Sequence, residues 1–190
     1  KIMDEKFYVS YNTVHKLIKS LAKRIEDSGF DPDVIVAIGS GGFIPARIIK
    51  TFINRPIYAV GISYYGMDHK HREHPTKIQW IDEVQEQLRG KKVLLIDEVD
   101  DTRATLAYCV GELLSYQPEE IAVLVLHNKL KKKDVEFPPE IKRYYPALEI
   151  EDMWIKYPWD AEDIEEHTRL EKEMIEEMRK QGKEIFNGII

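Results

Sequence analysis

The sequence predicts an α/β domain with a mostly parallel sheet flanked by helices, and three observations carry that prediction. The runs Val34-Ile35-Val36-Ala37-Ile38, Val93-Leu94-Leu95-Ile96 and Ile121 to Leu126 are continuously apolar, as strands covered on both faces require. Segments of helical spacing lie between them. Glycine-rich and acidic turns follow the runs, which places ligand-binding loops at the carboxyl ends of the strands, at Gly39 to Gly42, Asp97 to Thr105 and His127 to Lys129. At 190 residues, with 43% hydrophobic and 33% charged side chains, the chain reads as one globular domain, 1–190, with one substantial core.

The elements follow in order. Val14, Leu17, Ile18, Leu21, Ala22 and Ile25 form one face of a helix over 13–28, stopped by Ser28-Gly29. The strand 34–38 runs into Gly39-Ser40-Gly41-Gly42 and a helix from Pro45 to about Phe52. Ile57 to Ile62 reads as a strand, after which residues 63–75 lose any period and read as a mobile loop. A short helix spans Asp82 to Leu88, and a strand covers 93–96 before an acidic turn. A helix from Ala104 to Leu114 and the strand 121–126 complete the alternation. Past Lys129 the break Phe137-Pro138-Pro139 and the aromatic stretch Met153 to Asp160 predict a small lobe, about 129–160, covering the site. The appendage 161–190 carries Leu170, Met174 and Met178 at helical spacing and predicts a terminal helix packed by one stripe, without chemistry.

Several function classes are excluded or disfavoured. A net charge of −6 argues against a nucleic-acid binder, which needs a basic face to neutralise phosphates. No apolar run approaches the roughly 20 residues of a membrane span. The single cysteine, Cys109, can form no internal disulfide, and no apolar leader follows Lys1, so the cytoplasm is the expected compartment.

The most informative segment is Ile96-Asp97-Glu98-Val99-Asp100-Asp101-Thr102-Arg103-Ala104-Thr105. A buried strand delivers it to a helix N-terminus, where free backbone N–H groups and the hydroxyls of Thr102 and Thr105 suit a phosphate monoester. Four acids directly before such a cradle should repel its ligand and need partners of their own. A phosphorylated ribose with vicinal hydroxyls and a divalent cation would use them; an acidic helix N-terminus favouring the macrodipole is the alternative.

This segment resembles the PRPP-binding signature of the type I phosphoribosyltransferases, with Arg103 where the family usually has glycine. Phe7 to Tyr11, Ala37 to Arg47 and Asp152 to Asp160 extend the resemblance to the 6-oxopurine branch, the xanthine-guanine and hypoxanthine-guanine phosphoribosyltransferases, over residues 7–160. It implies the type I phosphoribosyltransferase fold with a hood lobe and a C-terminal helix. It further implies purine salvage: transfer of the phosphoribosyl group from PRPP to a 6-oxopurine base, giving a nucleoside monophosphate and pyrophosphate with Mg2+. The alternative is a non-catalytic regulator that senses PRPP or a nucleotide on the same fold.

By the same resemblance, Ser40 and Gly41 would hold pyrophosphate across a cis Ser40-Gly41 bond. Asp97 and Glu98 would engage ribose hydroxyls and magnesium, and Thr102, Arg103, Ala104 and Thr105 the 5′-phosphate. Asp101 would be the catalytic group near N7. Lys129 would donate to O6, Trp154 stack on the base, Ile155 read its edge through the backbone, and Asp160 lie near the 2-position or a second metal. The metal ligands would thus be Glu98 and Asp160, in a homo-oligomer. Read without the resemblance, Gly39 to Gly42 fits a tight strand-to-helix turn equally well, and Lys129 could be one of several solvated lysines before Lys131-Lys132-Lys133. Gly39 to Gly42 lacks the sixth-position glycine of a dinucleotide fingerprint. His127 reads as a structural histidine. His69, His71 and His74 lack the carboxylate support of a metal site, and the resemblance implies that their loop is a lid that closes over the ribose, with Tyr64 and Tyr65 at its root.

Overall fold

A computed structural model describes residues 6–65, 71–186, 188 and 189, with the backbone alone at 64, 65 and 71–74. Six strands form one sheet in the order β4 (His71–Gln79), β3 (Ile57–Tyr65), β2 (Val34–Gly39), β5 (Lys92–Asp100), β6 (Glu120–Lys129), β7 (Arg143–Ile150). All neighbours are parallel except β3 and β4. The helices are α1 (Tyr11–Asp27), α2 (Phe43–Ile49), α3 (Val84–Leu88), α4 (Ala104–Leu114) and α5 (Ile164–Lys180). Among the described residues no helix is long and apolar enough to cross a membrane.

The unbroken apolar runs are explained by two cores, one on each face. Ile35, Ala37, Leu94, Ile96, Ala122 and Leu124 point to the core that α1, α2 and α5 cover. Val34, Val36, Val93, Leu95, Ile121 and Val123 point to the other, where Leu106, Cys109, Val110 and Leu113 of α4 and Leu88 of α3 pack. Helix α1 starts two residues earlier than its apolar period because the Ser10 hydroxyl accepts the Thr13 N–H at 3.2 Å and caps it.

Three expectations change. Residues 63–75 are not wholly irregular: β3 runs on to Tyr65 and β4 returns antiparallel beside it. That strand sits at the sheet edge, where Pro75 is tolerated and no buried face imposes an apolar alternation. The tip, 66–70 with His69, and the side chains of Tyr64, Tyr65, His71 and His74 lie outside the described residues. Strand β5 extends past Ile96 to Asp100, so Asp97, Glu98 and Asp100 sit on a strand end and only Asp101 in the turn. The segment 129–160 is not all hood, since β7 lies in the main sheet; the hood is β1 (Lys6–Tyr8) paired parallel with β8 (Trp154–Lys156), followed by a 3-10 turn at Pro158–Asp160.

Helix α5 holds this hood by polar bonds as well as by its apolar stripe. The buried Glu171 accepts the Ser10 N–H at 2.8 Å, and His167 donates Nε2–H to the Val9 carbonyl at 2.7 Å. Replacing Glu171 by Ala strands a buried N–H and should cost about 1–3 kcal/mol. Glu171→Gln, which keeps an acceptor, should lose less. Urea unfolding checks both: a lower midpoint with an unchanged slope is expected for Glu171→Ala.

Candidate active site

The carboxyl ends of β2, β5 and β6 bring the three expected segments together. Gly39 still pairs with Gly61, so the chain turns on the strand's last residue, and the Gly42 N–H returns to the Ile38 carbonyl at 2.8 Å. The cis bond accordingly lies at Gly39-Ser40, one bond before the expected Ser40-Gly41. A Cβ on Gly41 would overlap the Glu98 carboxylate, and one on Gly42 would stand 2.5 Å from the Ile96 carbonyl oxygen. These glycines let the loop lie directly against the acids of β5.

The four acids occupy three different environments. Asp97 is buried, and its Oδ1 accepts the Glu98 N–H at 2.8 Å. Burial, followed by the charge of Glu98, pushes its carboxyl well above the usual range. Neither Asp97 nor Glu98 pairs with a Lys or Arg among the described residues. Asp100 has no exposed surface, and its Oδ2 accepts Arg103 Nε at 3.0 Å, Arg103 Nη2 at 2.8 Å and the Tyr144 hydroxyl at 2.8 Å. Arg103 also bonds Glu136 at 3.0 Å and lies 4.4 Å over the Phe137 ring. Its side chain is thus turned to Asp100, Glu136 and Phe137. Its φ of +71° explains why glycine is usual at this position, and the buried ion pair holds a conformation that costs about 1–2 kcal/mol.

Asp101 belongs to a square of charges at the end of β6. Lys131 Nζ lies 2.9 Å from Asp101 Oδ1 and 3.1 Å from Asp152 Oδ2, while Lys129 Nζ lies 3.5 Å and 3.7 Å from the other oxygens of the same two carboxylates. Burial raises the Asp101 carboxyl, but the Lys131 hydrogen bond and the charges of both lysines outweigh it and hold it below its ordinary value. Asp101 is therefore held ionised between the two lysines. The Lys129 side chain is only 12% exposed, which sets aside its reading as a solvated lysine.

The hood closes the other side. Tyr157 donates its hydroxyl to the Glu98 carbonyl at 3.0 Å, and so accepts from His127 Nδ1–H at 2.8 Å. His127 is buried with Nε2 unpartnered, and burial alone pulls it down to about 3, so the ring is neutral. Ile155 is in register with Phe7 on β1. Trp154 is 66% exposed, so its indole is not part of the core. Asp160 shares a shallow hollow with Lys156, Tyr157 and Tyr8.

Residues 10–163 match the phosphoribosyl transferase domain family. The chain belongs to the phosphoribosyltransferases. It is 43% identical to xanthine phosphoribosyltransferase 1 of Saccharomyces cerevisiae, over 89% of this chain and 96% of that one. It is 41% identical to the hypoxanthine-guanine phosphoribosyltransferase of Schizosaccharomyces pombe, over 85% and 92%. Among solved structures, a hypothetical protein from Neisseria gonorrhoeae with bound ppGpp superposes with a TM-score of 0.84 at 45% identity, covering 92% of this chain and 99% of that one. A purine phosphoribosyltransferase from Pyrococcus horikoshii gives 0.67 at 27% identity, covering 84% and 97%.

In this phosphoribosyltransferase Asp101 and Lys129 meet in one cluster of charges, and four residues to which sequence reasoning gave no site role stand in or beside it: Asp100, Lys131, Lys133 and Asp152. The alternate spacing of Lys129, Lys131 and Lys133 was the available signal for two of these, since period two off a strand end keeps one side. No group of three or more His, Cys, Asp or Glu side chains among the described residues is arranged to hold a metal. The carboxylates of Asp97 and Glu98, which meet no Lys or Arg among the described residues, are oxygen donors of the kind that suits magnesium.

The buried His127 links stability to pH. Its folded value, about 3, lies below the unfolded 6.5, so between these the unfolded chain binds more protons and stability falls as pH falls. His127→Gln removes this dependence. Unfolding free energies of the two proteins from pH 7 to 4 should converge on acidification, by up to about 1.4 kcal/mol per pH unit below 6.5.

Proposed function

We propose that the chain transfers the 5-phosphoribosyl group of PRPP to N9 of a 6-oxopurine in purine salvage, releasing pyrophosphate and a nucleoside 5′-monophosphate. The observation that supports this reading is the pairing of a donor-only lysine, Lys129, with the ionised Asp101 directly after β5. Lys129 would donate to O6, Trp154 would stack on the base, and the backbone of Ile155 would read its edge. Asp160 would lie near the 2-position, where it favours the amino group of guanine over the carbonyl of xanthine. As N9 bonds to C1 and the bond from C1 to pyrophosphate breaks, the base loses a proton to the Asp101 carboxylate near N7.

Thr102, Thr105 and the backbone of Arg103 and Ala104 would hold the 5′-phosphate, Asp97 and Glu98 the ribose hydroxyls, and Ser40 and Gly41 the pyrophosphate. Magnesium, held by Glu98 and on the base side by Asp160, would screen the Asp97-Glu98 pair and the charge of the leaving pyrophosphate. The reading includes a cytoplasmic homo-oligomer and the hairpin of β3 and β4 as the lid that keeps water from the reacting sugar.

A second reading is favoured by one observation, the ppGpp held by the Neisseria gonorrhoeae relative. On it, the same cleft takes a phosphorylated guanosine as a signal. Turnover separates the two.

Pyrophosphate release should be efficient with guanine and hypoxanthine, lower with xanthine and very poor with adenine, whose amino group faces the Lys129 donor. Lys129→Gln should lose activity on 6-oxopurines and narrow the gap to adenine. Asp101→Asn should lower turnover by roughly 10²- to 10⁴-fold with smaller changes in PRPP affinity. Efficient use of adenine by the unaltered protein would defeat the assignment, and no turnover with any base would favour the signalling protein.

A further inference from the structure

Lys131-Lys132-Lys133 reads in the sequence as a solvated run, yet the Lys133 side chain is only 8% exposed. Its ammonium donates to the carbonyls of Lys129 at 2.8 Å and of Asp100 and Asp101 at 2.9 Å each. A lysine has three N–H donors, and all three are used on main chain. The next residue continues the grip: Asp134 N–H donates to the Thr102 carbonyl at 3.0 Å. Three successive carbonyls, at 100, 101 and 102, are thus held by one segment.

The peptide bond converts this into an orientation of the opposite groups. Gly39-Ser40 is the one cis bond among the described residues, so the peptides from Asp100 to Arg103 are trans. In a trans, planar peptide the carbonyl of one residue and the N–H of the next point in opposite directions. Gripping the three carbonyls therefore turns the N–H groups of Asp101, Thr102 and Arg103 away from the lysine segment. Among the described residues no acceptor meets the N–H of Thr102 or Arg103. They lead directly into the first turn of α4, where the Ala104 N–H meets only the Thr102 hydroxyl, at 3.4 Å, and such a row of donors suits an anion. Asp100 fixes the same loop through its side chain, with Arg103 on Oδ2 and the Lys133 ammonium 3.6 Å from Oδ1.

We propose that Lys133 is a positioning residue for the ligand's 5′-phosphate. It touches no substrate: it holds the carbonyl side of the loop so that the N–H side faces the phosphate. Through the Lys129 carbonyl it also ties the base-recognising end of β6 to the phosphate loop. The proposal deepens the phosphoribosyl-transfer reading and rests on it.

The test compares GMP with guanosine, which lacks the phosphate, by calorimetry on the full chain. The unaltered protein should prefer GMP. Lys133→Met keeps the length of the stem and removes the ammonium, and should cut that preference by roughly 10- to 100-fold, the range of one or two charge-assisted hydrogen bonds, with little change for guanosine. A purely structural role would weaken both ligands alike. A folded Lys133→Met protein with the full preference overturns the proposal. No preference in the unaltered protein instead overturns the reading of the loop as a phosphate cradle. Should Lys133→Met fail to fold, the amide protons of Thr102 and Arg103 in the unaltered protein decide: they should move downfield with GMP and not with guanosine, and their failure to move with GMP overturns the proposal.

Discussion

A carboxylate without exposed surface must be paired, because the cost of carrying its charge out of water reaches several kcal/mol. Asp100 is such a group, at the last residue of a central strand, and the arrangement of the site follows from how it is satisfied. Its chief partner is Arg103, three residues on, which can reach back only because the chain turns through a left-handed residue at the start of α4. Tyr144 from β7 supplies a third hydrogen bond, and Lys133 stands beside the remaining oxygen. One buried charge thus joins the phosphate loop, a helix start, the edge strand and the segment that crosses behind the loop.

The same strand end shows how position assigns different chemistry to identical side chains. Asp97 is buried beside another acid without a cation, and this raises its proton affinity. Asp101 lies four residues on, half-exposed between two lysines, and its proton affinity falls. The two carboxyls of one strand end thus hold a proton with opposite tendencies, set by the neighbours that each one faces.

The hood depends on a helix whose composition gives little hint of its role. Helix α5 is highly charged, yet its buried Glu171 and His167 bond to the backbone just after β1. Strand β1 pairs with β8, which carries Trp154 and Ile155. Tyr157 then ties the hood to the Glu98 carbonyl, so the hood and the acids of β5 share a hydrogen-bonded connection.

By itself the sequence determined the strands buried on both faces, the helices between them and the loops that carry the chemistry. These are local: apolar runs, helical spacing and glycines express requirements that each segment meets on its own. Strands β4 and β7 were not legible, because an edge strand such as β4 needs no apolar alternation and the 129–160 stretch reads as irregular around its prolines. Tertiary structure alone decided that Asp100 also meets Tyr144 and Lys133, and that Lys133 is buried while Lys132 is exposed. Those outcomes depend on partners 30 or more residues away, from Lys133 to Asp100 and from Tyr144 to Asp100. A charged residue in a sequence states its charge, and only the folded surroundings set what that charge must face.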